Sequence, residues 1–344
     1  MIVGTPLSRQ SLAPRWQQDL ATAVTDPAEL ATLLNLPRDW VEPARRAAAQ
    51  FGLKVPRSFI ARMRAGDIGD PLLRQVLPIV DECDVTPGFV ADPLKETAAR
   101  SAAGLLHKYD HRALLITTEA CAVHCRYCFR REFPYGEHQS DGGRWSEALA
   151  AVSADPSIRE VILSGGDPLS LSTRRLRQIT DALQDAPHVT MLRLHTRTPI
   201  VLPSRIDDEF IDWLRSLPWR STLVLHINHP DELAADALVA IRALKETGVA
   251  LLNQCVLLRG VNDDAAALTE LSLRLHAHGV LPYYLYLLDR IRGSAHFEVP
   301  EERGIELIDQ IARKLPGFLV PKLARELPGE EAKVVIAAGI SRPR

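Results

Sequence analysis

The sequence predicts an α/β protein, a partial (β/α)6 TIM-type barrel preceded by a helical N-terminal region. Three observations carry that expectation. From about residue 113 a short run rich in Leu, Ile and Val alternates with a longer amphipathic stretch, the pattern of βαβ units on a parallel sheet. Six such strands can be counted. Polar residues gather where each strand runs out, which is the face that the βα loops of a barrel build.

Taken in order, the first 110 or so residues hold helix-like segments such as PAELATLLN and EPARRAAAQFG, broken by prolines and by turns such as GDIGDP. They predict a helical region over 1–110. No long Gly/Ser linker follows it, so it should pack against the barrel. The barrel is expected over 111–295, with strands ALLITT (113–118), EVILSG (160–165), TMLRLHT (190–196), STLVLHI (221–227), VALLNQCVLL (249–258) and LPYYLYLL (281–288). Helical patterns such as SEALAAVSAD and DALVAIRALKETG lie between them. Six units fall short of a complete barrel, so it is either open or finished by another element; FLVPKL at 318–323 is a candidate late strand. Residues 296–344 form a C-terminal segment, and an open doubly wound sheet is the alternative architecture.

Composition narrows the function. With 344 residues and 46% hydrophobic content the chain can bury a large core, which excludes a disordered polymer or a disulfide-stapled miniprotein. Lys plus Arg is 41 against 43 Asp plus Glu, a net charge of -2, so no global field points to nucleic acid or an anionic membrane as partner. No run approaches the roughly 18 apolar residues of a membrane span, and MIVGTPLSRQSLAPRW lacks the apolar core of a signal peptide. A cytoplasmic location is expected. Cysteines occur at 83, 121, 125, 128 and 255, a sparse, odd and clustered set that is no disulfide framework.

The strand ends hold the candidate site. After the first strand, CAVHCRYC places Cys121, Cys125 and Cys128 at C-x3-C-x2-C spacing. SGGDP (164–168) follows the second strand, Arg197 the third, His226, Asn228 and His229 the fourth, Asn253, Gln254 and Arg259 the fifth, and Asp289 the sixth. Loop polarity explains any one of these singly. Together they mark a site. Three soft thiolates suit an iron-sulfur cluster or zinc. Zinc would need His124 or His138 to complete its set, whereas three thiolates on a four-iron cluster leave one iron open; spacing leaves both readings standing. Cys83 and Cys255 read as small buried residues.

The cysteine spacing at the end of a first barrel strand resembles that of the radical S-adenosylmethionine enzymes. The blocks VPRSFIARM, HKYDHRALLITTEACAVHCRYCFRR, SGGDPL, RTPIVLPSRI, HINHP, NQCVLLRGVND, DRIRGSAHF and VPKLAREL, in this order, resemble the lysine 2,3-aminomutase family. The likeness is to its short bacterial members that act in elongation factor P modification, and it covers most of the chain from about residue 55. It implies a 4Fe-4S cluster on Cys121, Cys125 and Cys128, with S-adenosyl-L-methionine on the open iron. Gly165, Gly166 and Asp167 match the segment that hydrogen-bonds the methionyl ammonium: glycines allow close approach and a carboxylate complements a cation. His226 and Gln254 match positions near the adenosyl group.

A second cofactor, pyridoxal 5'-phosphate, is implied as a Schiff base on Lys333, with Lys322 as the fallback. The glycine run of the standard aminomutases is reduced here to Gly329, followed by Glu330 and Glu331. By resemblance Lys108, Arg112 and Arg197 surround the phosphate, whose buried dianion requires cations. Arg130 matches the residue that receives the substrate carboxylate, and Asp289 and Glu326 the acids that receive the distant ammonium of lysine. A cation at one end and two acids at the other favour a long zwitterion with a cationic tail. The implied activity is an L-lysine 2,3-aminomutase making (R)-β-lysine for elongation factor P, with a β-lysine ligase as functional partner and a flavodoxin- or ferredoxin-type electron donor. The alternatives are an aminomutase acting on another amino acid and a non-catalytic zinc or iron-sulfur binding protein.

Overall fold

The computed structural model describes residues 13–138 and 145–336. Ten strands form one sheet whose spatial order follows the chain: β1 (Arg100–Ala102), β2 (Leu105–Tyr109), β3 (Arg112–Thr118), β4 (Glu160–Gly165), β5 (Met191–Thr196), β6 (Arg220–His226), β7 (Ala250–Val256), β8 (Leu281–Tyr286), β9 (Lys322–Arg325) and β10 (Val334–Val335). Pairing from β3 through β9 is parallel throughout. A doubly wound sheet needs a point where strand order reverses, and none occurs among these strands. Lys108 on β2 meets Glu326, just past β9, at 2.7 Å, so the two ends of the sheet curl round toward one another. The fold is a partial barrel.

The six expected strands form at the expected places. The late strand forms as β9, four residues beyond the start of FLVPKL, because Gly317–Leu319 turns as a 3-10 helix and Pro321 precedes the pairing. The stretch before residue 110, expected to be helical, ends instead in the antiparallel β1–β2 hairpin. Gly104, at a φ of +77°, makes that turn, and Leu105 and Leu106 bury the hairpin's start. The rest of the N-terminal region is short helices. Trp16, Leu30, Phe59, Leu72 and Leu73 pack there with Ala122 and Val123 of the cysteine loop.

Alternation along the strands creates the site. Val161, Leu163, Leu192, Leu194, Leu223 and Leu225 join the main apolar core. Against them lie helices such as Thr173–Leu183, capped by Ser172, and Asp208–Ser216, capped by Asp207. The intervening residues Arg112, Arg193, His195, His226, Gln254, Tyr284 and Tyr286 are polar and only partly covered. Strands buried on both faces would read as continuous apolar runs. Here one face is apolar core and the other lines a polar lumen.

Candidate active site

The cysteine loop is positioned by its neighbours on both sides. The main chain of His124 donates to the Lys54 carbonyl (2.9 Å) and that of Arg126 to the Gln75 carbonyl (2.9 Å). Arg126 is fully buried and bonds both oxygens of buried Glu82 at 2.9 and 2.6 Å, while Arg131 reaches the same carboxylate at 2.9 Å. These cations flank Cys128 in the sequence and lock the loop to the N-terminal region. Burial and the neighbouring sulfurs raise Cys121 well above the usual thiol range and Cys128 to about 11. Left to themselves both stay protonated at neutral pH, and a metal centre is what would hold them as thiolates.

His124, one of the two candidates for a fourth zinc ligand, bonds the Gly52 carbonyl through Nδ1 at 2.8 Å and stacks on Phe51. The side chain of His138 lies outside the described residues. Among the described residues no three His, Cys, Asp or Glu side chains are grouped as ligands of a single ion. Three thiolates in one loop at C-x3-C-x2-C spacing are a donor set that can hold three irons of a four-iron cluster. The donor set fits that centre.

Gly165 and Gly166 pack the turn after β4 onto the start of the cysteine loop. A Cβ on Gly165, at φ +118°, would stand 2.6 Å from the Thr118 carbonyl oxygen, and one on Gly166 would stand 2.5 Å from that of Ala120. The carboxylate of Asp167, expected beside a ligand ammonium, is engaged by protein donors. It is buried and accepts from Leu169 N (3.0 Å), Thr196 Oγ1 (2.8 and 3.0 Å), Arg197 N (2.8 Å) and Thr198 N (3.0 Å), so it clamps the β4 turn to the end of β5. Its lone pairs are spent on protein donors.

Arg197, expected beside the phosphate, bonds the cysteine loop. Its Nη1 donates to Cys125 Sγ at 2.9 Å and to the Tyr127 hydroxyl, and its Nη2 to Gln75 Oε1 (2.7 Å) and Glu232 Oε2 (3.1 Å). Asn228 joins this network through Gln75 and Tyr127 at 2.9 and 2.6 Å, and Asn253 braces both main-chain groups of Ile227. These two asparagines are spent on holding strand ends.

Lys333, immediately before β10, reaches into the lumen. Its amine donates to the Tyr286 hydroxyl, lies 4.6 Å from the centre of that ring, and stands 3.8 Å from Glu326. Burial first, then Arg193 and Arg112, lower its pKa to about 8 against the pull of Glu326 and Asp289. Burial alone would raise Glu326, but Lys333 and Lys108 hold it below the usual range. Burial, with Glu326 and Glu96 nearby, raises Asp289 to about 7. Asp289 and Glu326 line one cleft of about 240 Å³. Arg112 Nε is buried without a partner among the described residues, a free donor for an anion. Lys322 is exposed at the start of β9. A poised amine with an unspent guanidinium nearby fits a pyridoxal phosphate.

Between the two ends lie His226, His195 and Arg130. Burial, with Arg197, Lys333 and Arg130 acting in the same sense, lowers His226 to about 3, and its Nε2 pairs with the Gln254 amide at 2.9 Å. Arg130 is gripped by Glu96 through two bonds of 2.7 Å and donates Nη1 to Ser164 Oγ at 3.0 Å. Sequence reasoning missed Glu96, Glu82, Gln75, Tyr127 and Glu232, which lie far from their partners along the chain and carry no local pattern. It also missed Arg193 and His195, for which a signal existed: in MLRLHT two polar residues alternate with leucines. Arg193, held by Glu160, is one of the cations that lower the pKa of Lys333.

A model of the Radical SAM superfamily matches residues 115–271. Over 319 residues the chain is 46% identical to the L-lysine 2,3-aminomutase of Escherichia coli strain K12, covering 92% of this chain and 93% of that one. It is 42% identical over 322 residues to the L-lysine 2,3-aminomutase of Haemophilus influenzae, with 94% and 95% covered. To that of Clostridium subterminale it is 33% identical over 327 residues, with 93% and 77% covered.

Proposed function

The chain belongs to the lysine 2,3-aminomutase family of radical S-adenosylmethionine isomerases, and from that premise we propose that it converts L-lysine to (R)-β-lysine with the help of pyridoxal 5'-phosphate. The carrying observation is that a buried amine held at a pKa of about 8 and a trio of cysteines adjoin one polar lumen, with His226 under the influence of Lys333 at one end and Arg197 at the other. When bound, the cluster and S-adenosylmethionine supply a carbon radical that abstracts hydrogen, and pyridoxal phosphate supplies the π-system through which nitrogen moves between neighbouring carbons.

The chain's own groups bind and orient. Cys121, Cys125 and Cys128 hold the cluster; Gly165 and Gly166 set the turn beside it. His226, neutral throughout the physiological range, and Gln254 offer hydrogen bonds without charge to the adenosyl end. Lys333 would hold the pyridoxal carbonyl carbon, with Arg112 and Arg193 supplying positive charge for the phosphate and Lys108 joining them once its ion pair with Glu326 yields. Arg130 takes the substrate carboxylate, while Asp289 and Glu326 meet the distal ammonium, which excludes amino acids lacking a cationic tail. The reading extends to a product destined for elongation factor P through a β-lysine ligase, supported by the resemblance to the short bacterial members of the family, with electrons from a flavodoxin- or ferredoxin-type protein. No described helix is long and apolar enough to cross a membrane.

The test is anaerobic reconstitution with iron and sulfide, reduction, and incubation with lysine and S-adenosylmethionine, followed by chiral analysis of the amino acid formed. (R)-β-lysine is the expected product. A protein that takes up zinc without iron, or that turns over a different amino acid in preference, overturns the reading.

A further inference from the structure

We propose that Arg197 is a positioning residue of the iron-sulfur centre, which donates a hydrogen bond to the sulfur of Cys125 and thereby raises the reduction potential of the cluster. The proposal rests on the reading of the three cysteines as cluster ligands. Its geometry is independent of that reading: Nη1 lies 2.9 Å from Cys125 Sγ, and the side chain is 5% exposed.

The guanidinium is fixed from three separate parts of the chain. Gln75 comes from the N-terminal region, Tyr127 from the cysteine loop itself, and Glu232 from the turn after β6. Glu232 is held in turn by the Gln75 amide at 3.1 Å and the Asn228 main chain at 2.9 Å, so it cannot follow a departing arginine. The main chain of Arg197 is tied to Asp167 at 2.8 Å. A planar fork held on these sides keeps an N–H directed at the sulfur without having to be reordered. Lysine in this place keeps the charge and loses the fork.

The consequence is electrostatic. One-electron reduction adds negative charge to the cluster and its thiolate ligands, and a hydrogen bond from a cation to one of those sulfurs stabilises the reduced form more than the oxidised form. Glu232 offsets the charge of the buried arginine, but it lies on the other nitrogen. The residue therefore favours acceptance of the electron on which radical formation depends.

The experiment compares wild type, Arg197→Lys and Arg197→Gln after anaerobic reconstitution, at matched iron and sulfide content, by redox titration followed through the EPR signal of the reduced cluster. Arg197→Gln should be about tenfold harder to reduce at a fixed solution potential, a fall of ~59 mV for one electron, with Arg197→Lys in between. Coincident potentials overturn the proposal, and so does a variant that melts at a lower temperature yet keeps the wild-type potential, since that is the signature of packing alone. Should Arg197→Gln fail to hold a cluster, Arg197→Lys decides: a lower potential supports the assignment and an unchanged one refutes it. A wild-type protein without iron removes the cluster reading itself, which is a different result from a loaded wild type whose potential the variants share.

Discussion

Lys333 and Asp289 titrate in opposite directions from their ordinary values, and each displacement has a functional consequence. The amine must be neutral to attack a carbonyl, and burial has brought its pKa from the ordinary 10.5 to about 8. Trapping of pyridoxal phosphate by borohydride should therefore rise between pH 7 and 9 with a midpoint near 8, and Lys333→Ala should abolish the labelled peptide; a labelled peptide elsewhere would move the assignment. Asp289 runs the other way. A carboxyl raised to about 7 is largely neutral below that pH, so affinity for the lysine ammonium should strengthen as pH rises through 7. Asp289→Asn should lower kcat/KM for lysine about tenfold to a hundredfold, the worth of a hydrogen bond to a charged group, and should flatten that part of the profile. Both residues could be singled out in the sequence from the resemblance and a charge argument, and the structure buries both beside charged partners. For Arg197 and Asp167 the sequence showed only that a residue of that type stands there, because their protein partners, Cys125 and Glu232 for the one and Thr196 for the other, are distant along the chain.

At the scale of elements, the cysteine loop depends on a turn and on an ion triad. Gly166 leaves no room for a side chain against the carbonyls of Glu119 and Ala120, and the obstacle is backbone, which cannot rotate away. Gly166→Ala should cost about 2 kcal/mol or more and reduce iron uptake together with the melting temperature, because the displaced atoms begin the cysteine loop. Glu82 neutralises Arg126 and Arg131 out of reach of solvent. Removing one member of such a set leaves charge buried and unpaired, so Glu82→Ala should destabilise by about 3–5 kcal/mol in urea titration; a loss within experimental error would show that the arginines find water instead. The six parallel strands were readable from their apolar runs. The β1–β2 hairpin and β10 were not: with three, five and two residues they are too short for periodicity to show, and neighbours in space supply their pairing.

For the whole molecule the relevant fact is that one lumen has two ends built from different parts of the chain. The cysteine end is locked by the N-terminal region through Gln75 and Glu82, whereas the lysine end hangs on the edge of the sheet, where among the described residues β10 pairs with β9 alone and Ile336 donates to the Leu323 carbonyl at 2.8 Å. The strand count foretold a barrel either left open or finished by another element, but it carried no information on how the gap is managed, because that depends on long-range partners such as Lys108 and Glu326. If the ends are independent, a lesion at the edge should spare the cluster. Ile336→Pro removes the donor of that last bond. It should cut borohydride labelling of Lys333 severalfold, and return the pH midpoint of the residual labelling toward that of a free lysine, while iron and sulfide content stay at the wild-type level. Parallel loss of label and iron would instead mean that the lumen forms as a single cooperative unit, with the edge strand as much a part of the cysteine site as the N-terminal region that grips it.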